Sequence, residues 1–231
     1  MPNVEPLSRA ELAEFEPVFA SIEGLMGFVP NSLLTLGRAP EILRGFGALS
    51  SSILASGRIE PALRQLVAFV ASTAAGCRYC QAHTSHGAEK VGVPSEKLRD
   101  AFLFETSPLF DEAERAALRL ARDAALQPNA TTAAHFADLR RHFDEGEIVE
   151  LVAIVSLFGW LNRWNDTMAT ELEGPAVAFA DRTLADAGWT VGKHPPGGAL
   201  ITARRSRSDG GPPDASASPS ASASGAPPDF A

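Results

Sequence analysis

Cysteine is nearly absent. The chain of 231 residues holds two, Cys77 and Cys80, both inside the stretch GCRYCQAHTSHG. That scarcity excludes a disulfide-stapled scaffold and a four-thiolate zinc site. Positive charge is also in short supply: 20 Lys and Arg stand against 28 Asp and Glu, a formal net charge of -8. Nucleic acids and anionic membranes recruit clustered Lys and Arg, so neither is expected as a partner. No run approaches the roughly 18 apolar residues that a membrane helix needs. The opening residues MPNVEPLSRAELAEFEP lack the basic-then-apolar pattern of a signal peptide. A reducing cytoplasm is therefore the expected location, and a CxxC pair there points to redox or metal chemistry. Alternating strand-like segments are missing as well.

What is present is helical punctuation. Ser8 and Glu11 form a capping-box pattern, and Pro61 suits the first turn of a helix running through Ala75. SLLTLGRAPEILRGFGALSSSIL has apolar residues at threes and fours, and DEAERAALRLARDAAL is strongly amphipathic. TTAAHFADLRRHF follows, and a long helical run starts near Glu145. The expected fold is all-α, with about eight helices. Its domain is expected to span residues 1–203. Residues 204–231, rich in Ser, Ala, Pro and Gly, have little to bury and are expected to be disordered.

The chain also carries an internal echo. A shift of 85 residues lays QLVAFVASTAAGCRYCQAHT on ELVAIVSLFGWLNRWNDTMA. Leu66, Val67, Ala68, Val70 and Arg78 then match Leu151, Val152, Ala153, Val155 and Arg163, while Cys77 and Cys80 fall on Asn162 and Asn165. The pattern suggests two pseudo-symmetric helices in one core. Asn162, Arg163, Asn165 and Asp166 form a polar cluster that reads either as a network closing the fold or as a wall of an active cavity. Trp160 and Trp164 read as core or as an interface patch.

For the cysteines themselves, a complete metal site is disfavoured. Helical rise of ~1.5 Å per residue puts Cys77 and His86 roughly 13 Å apart, so one helix cannot surround an ion. A site completed by another subunit stays open, as does an inert buried thiol. A structural disulfide would close a tiny loop and gain little. Redox chemistry accounts for more of the neighbourhood. Arg78 supplies positive charge to favour a thiolate, and His83 follows Cys80 by three residues, on the same helical face. His83 could shuttle protons, and Thr84 is within reach of the same turn.

GCRYCQAHTSHGAEKVGV, with LRQLVAFVASTAA before it, resembles the carboxymuconolactone decarboxylase superfamily, and within it the alkylhydroperoxidase D-like, peroxidase-related branch. GFVPNSLLTLGRAPEILRGF and FGWLNRWNDTMATELE are similar to the flanking regions of that branch. The resemblance covers roughly residues 7 to 190. It implies an all-helical fold that forms homotrimers or larger assemblies. It implies a peroxidase in which Cys80 attacks a hydroperoxide and becomes a sulfenic acid, which Cys77, the resolving cysteine and proton donor, closes to a disulfide. An external dithiol, of lipoyl type in relatives, would then reduce the pair, with no cofactor and no metal. Two positions depart from the pattern. The family's relay Glu is replaced by Gln65, which cannot act as a base, and the family's His position holds Thr84, with His83 one residue early. The echo offers Glu150 as a substitute carboxylate, because it occupies the position matching Gln65. Two other functions are compatible with the sequence: a helical oligomer that senses redox state, and a lactone decarboxylase that does not depend on the CxxC.

Overall fold

The computed structural model describes residues 1–55 and 57–197. The expected tail at 204–231 lies outside the described residues, as does the end of the domain at 203. Among the described residues the protein is all-α, with ten α-helices: α1 (Glu16–Met26), α2 (Asn31–Leu36), α3 (Pro40–Leu54), α4 (Pro61–Ala74), α5 (Arg78–Lys90), α6 (Ser95–Arg99), α7 (Glu112–Ala124), α8 (Ala133–Leu139), α9 (Glu145–Met168) and α10 (Gly174–Leu184). That is two more than the sequence suggested, because apolar periodicity does not register short interruptions. The run after Pro30 divides into α2 and α3 around Gly37, Arg38 and Ala39, and the run from Thr131 ends as α-helix at Leu139.

The helix starts follow local chemistry. Ser8 and Glu11 form the expected capping box, although the turn they open, Arg9–Phe15, is 3-10 rather than α. Asp111 with Glu114, and Asp144 with Glu147, cap α7 and α9 in the same way. Each such cap is worth about 1 kcal/mol. No helix among the described residues is long and apolar enough to cross a membrane.

The core is organised around α4. Every residue from Leu66 to Ser72 is buried, as expected of a helix that is apolar on all sides. Helices α5, α7 and α9 pack around it, and α10 closes over α5. A second, smaller apolar cluster joins Leu12, Phe15, Phe19, Leu33, Leu36 and Leu43, with Trp164 and Phe46 at its edge. Trp160 and Trp164 stack on one another at 5.3 Å, and Trp160 stacks on Phe46 at 4.8 Å.

The two echoing segments do not fold alike. The first breaks into α4 and α5, whereas the second is one continuous helix, α9. The break is made by Gly76, whose φ of 76° lies in the left-handed region. A Cβ at Gly76 would meet nothing within 4 Å, so conformation rather than space demands glycine. Gly76→Ala is expected to cost about 1–2 kcal/mol in urea unfolding. A variant as stable as wild type would show that the turn tolerates a side chain.

Candidate active site

The break at Gly76 starts α5 at Cys77. The amide N–H of Cys77 donates to the Ser72 carbonyl at 3.1 Å, which ties the turn to the end of α4. Cys77 is the N-cap of α5: its Sγ accepts the backbone N–H of Cys80 at 3.3 Å, the place a Ser or Asp oxygen usually takes. Helix N-termini favour negative charge. Both cysteines are unbridged and buried.

Cys80 lies one turn on, facing α9. Its Sγ accepts a hydrogen bond from Asn165 Nδ2 at 3.6 Å. Burial pushes the Cys80 thiol well above the ordinary range, and its hydrogen bond and charge interaction with Cys77 push the same way; the Asn165 amide opposes them. Cys80 therefore holds its proton at neutral pH, and a base must remove it before the sulfur can react.

His83 is on the next turn, and the structure gives it a carboxylate that the sequence did not single out. His83 Nε2 lies 2.5 Å from Glu173 Oε2, and both side chains are largely buried. Glu173 comes from the N-cap of α10. Its other oxygen accepts the Asn31 backbone N–H at 2.5 Å and the Tyr79 hydroxyl at 3.0 Å. Burial alone would raise the Glu173 pKa, but its electrostatic interaction and hydrogen bond with His83, with the Asn31 N–H, leave it below the usual carboxylate value. Burial, then the charge of Glu173, push the Tyr79 hydroxyl well up, so it stays a donor. The Tyr79 ring packs on the His83 ring at 4.2 Å, and the Phe28 ring lies 5.3 Å from it. The imidazole is thus fixed by a carboxylate and two rings, an arrangement suited to proton transfer.

The remaining candidates are placed differently. Thr84 turns its hydroxyl back to the carbonyls of Cys80 and Gln81, at 2.7 and 3.3 Å, rather than to the His83 ring or Glu173. Gln65 lies along α4 against Gly87 of α5, where its Oε1 would come within 3.0 Å of an added Cβ; that is two turns beyond Cys80. Glu150 is not at the cysteines. Its Oε2 accepts the backbone N–H groups of Arg58 and Ile59, at 2.6 and 3.1 Å, and so holds the loop before α4. The echo misplaces it because only one copy breaks at a glycine, and equal sequence positions then fall at unequal heights. His86 stands edge-on to Phe28 with both ring nitrogens buried and without a hydrogen-bond partner among the described residues. Among the described residues no three His, Cys, Asp or Glu side chains are grouped to hold a metal ion.

Comparison with known proteins places this geometry in context. Residues 40–123 match the model of the carboxymuconolactone decarboxylase family, a span that includes both cysteines. The debrominase Bmp8 is similar in sequence and structure. Its apo form shares 39% identity at a TM-score of 0.73, over 78% of this chain and 97% of that one. A C-to-A variant of it in complex with 2,3,4-tribromopyrrole gives 38% identity and a TM-score of 0.74, over 78% and 96% of the two chains. A peroxidase-related protein with an alkylhydroperoxidase core from Ralstonia eutropha JMP134 shares the fold, at 21% identity and a TM-score of 0.69 over 78% and 95%. The Escherichia coli (strain K12) protein YnjA is 32% identical over 117 residues, 50% of this chain; the match spans 64% of YnjA, short of its whole length.

Proposed function

Because the chain belongs to the carboxymuconolactone decarboxylase family, we propose that it is a dithiol reductase in which Cys77 and Cys80 deliver two electrons to a hydroperoxide. The observation that carries this reading is the pairing of two buried, unbridged cysteines at the start of α5 with a His83–Glu173 pair one turn away. His83 takes the Cys80 proton. The thiolate attacks the terminal peroxide oxygen, the O–O bond breaks, and the departing alkoxide takes up the proton. Cys80 is left as a sulfenic acid. The Cys77 sulfur then attacks Cys80, the S–O bond breaks, and hydroxide leaves with a proton as water. One hydroperoxide and two thiols give one alcohol, one water and one disulfide. An external dithiol, for example a lipoyl-type carrier, returns the pair to thiols by exchange. A homotrimer or larger assembly is part of the reading. Ile42, Leu49, Val149, Val152 and Trp160 leave an exposed apolar surface on α3 and α9, which supports it.

The similarity to Bmp8 along nearly its whole length favours a second substrate class, a brominated heteroaromatic ring. The electron count is unchanged: one carbon–bromine bond and two thiols give one carbon–hydrogen bond, bromide, a proton and a disulfide. The deciding experiment incubates the protein with dihydrolipoamide or dithiothreitol and follows cumene hydroperoxide or 2,3,4-tribromopyrrole. Hydroperoxide loss equal to dithiol oxidised is expected. The rate should climb as pH is raised from about 7 to about 9, because Cys80 is protonated at the start of that range. Consumption of the bromopyrrole alone would replace the hydroperoxide by the second class. Consumption of neither, with any dithiol, would overturn the reductase.

A further inference from the structure

The buried face of α9 changes character near the cysteines. Ile148, Leu151, Val155, Phe158, Asn162 and Asn165 are all buried, at spacings of three and four, and so lie on one stripe. This stripe packs on α4 and α5. Its first four members are apolar, and its last two are amides only 4% and 1% exposed.

Amides are costly in such a place. Asn165 uses its Nδ2 on Cys80 Sγ and on the Leu161 carbonyl at 3.0 Å, but its Oδ1 has no partner among the described residues. Among the same residues, neither Nδ2 nor Oδ1 of Asn162 has one. On the facing helix, Ser72 is fully buried with a hydroxyl that has no partner among the described residues, while its carbonyl holds the Cys77 amide. Each orphaned group carries an uncompensated desolvation cost, and native structures leave few of them. Leucine at position 162 would continue the stripe and avoid the cost. The groups are neutral and offer both acceptors and donors. Asp166, whose charge acts on the Cys80 thiol, is negative and disfavours an anion.

We propose that Asn162 and Asn165 form the subsite for the polar end of the substrate, and that this substrate is a small neutral molecule carrying an N–H or O–H donor beside its reducible bond. Asn165 positions the Cys80 sulfur. Asn162 offers its Oδ1 to the donor and its Nδ2 to an adjacent acceptor. The terminal O–H of a hydroperoxide and the ring N–H of a bromopyrrole present the same donor, so both classes of the proposed function fit. The inference rests on that reading for the site, but its test does not need turnover.

The experiment measures calorimetric binding of 2,3,4-tribromopyrrole and of its N-methyl derivative to the full-length Cys80→Ser protein, with and without Asn162→Leu. The N–H compound is expected to bind at least tenfold tighter than the N-methyl compound, and Asn162→Leu should erase that difference while raising the unfolding midpoint. In the thiol-intact protein, Asn162→Leu should raise KM for tert-butyl hydroperoxide about tenfold with a smaller change in kcat. A preference in only one assay identifies which donor source the site takes. Equal binding of the two pyrroles together with an unchanged KM overturns the subsite, as does a drop in the unfolding midpoint, which would mark Asn162 as a structural bond. Asn162→Ala carries the same comparison if the leucine variant does not fold. Tight, N–H-selective binding without turnover would keep the subsite and remove the reductase.

Discussion

Cys80→Ser is expected to lower hydroperoxide turnover by about 10³-fold or more, since a serine hydroxyl at that position has no activating base strong enough to replace a thiolate. Cys77→Ser should also stop multiple turnover, but for a different reason. Its Cys80 can still react once, and the sulfenic acid then has no partner thiol. Dimedone should therefore label Cys80 in Cys77→Ser after one addition of hydroperoxide, and should label nothing in Cys80→Ser. The order is the one that the resemblance to the peroxidase-related branch implies. Cys77 is held as a cap by the Cys80 N–H, whereas Cys80 lies beside the Asn165 amide and one turn from His83. Dimedone on Cys77 in Cys80→Ser, with none on Cys80 in the converse variant, would reverse the order. Lactone decarboxylation that survives both substitutions would point instead to the family's namesake chemistry.

Glu173→Gln is the second large expected effect. The substitution keeps the size of the side chain and its acceptor for Tyr79 and Asn31, but removes the charge that holds His83. Loss of an oriented general base costs about 10²-fold or more in kcat/KM. The deficit should be greatest near neutral pH and shrink in alkali, where solvent base can take the Cys80 proton. A purely structural role would lower the rate equally at every pH. Stability should respond too. Burial raises the Glu173 pKa, yet its partners bring it below the unfolded value, so the unfolded chain binds the proton more readily. The resulting stabilisation is present above the unfolded carboxylate value of about 4.3 and is lost as pH falls through the folded one. In Glu173→Gln that part of the acid dependence should disappear from thermal unfolding curves. An unaltered acid limb and an unaltered pH–rate profile would remove Glu173 from the proton path.

Much of this was readable before any coordinates. The capping pattern at Ser8, the proline at position 61 and the apolar periodicity give the all-α class, and the CxxC with His83 points to the centre of the candidate site. The short helices were obscured because Gly37 interrupts an apolar pattern without changing its period. Glu173 was not readable. It lies 90 residues beyond His83, in a segment where a Glu before Gly174-Pro175 looks like any helix start. Only the docking of α10 on α5 brings it to the imidazole. Asn165 stood between these cases. The echo aligned it with Cys80 from sequence, and the two side chains do meet. The same echo misassigned Glu150, because Gly76 breaks one copy and leaves the other continuous.

The central claim is that Cys77 and Cys80 act together as one two-electron donor within a single chain. It is tested most directly by mixing fully reduced protein with one equivalent of cumene hydroperoxide, counting free thiols, and mapping the digested peptides by mass spectrometry. The account predicts the loss of both thiols per chain, with the bridge between Cys77 and Cys80 of the same chain. Two free thiols remaining after the hydroperoxide is spent, or a bridge formed only between chains, would contradict it.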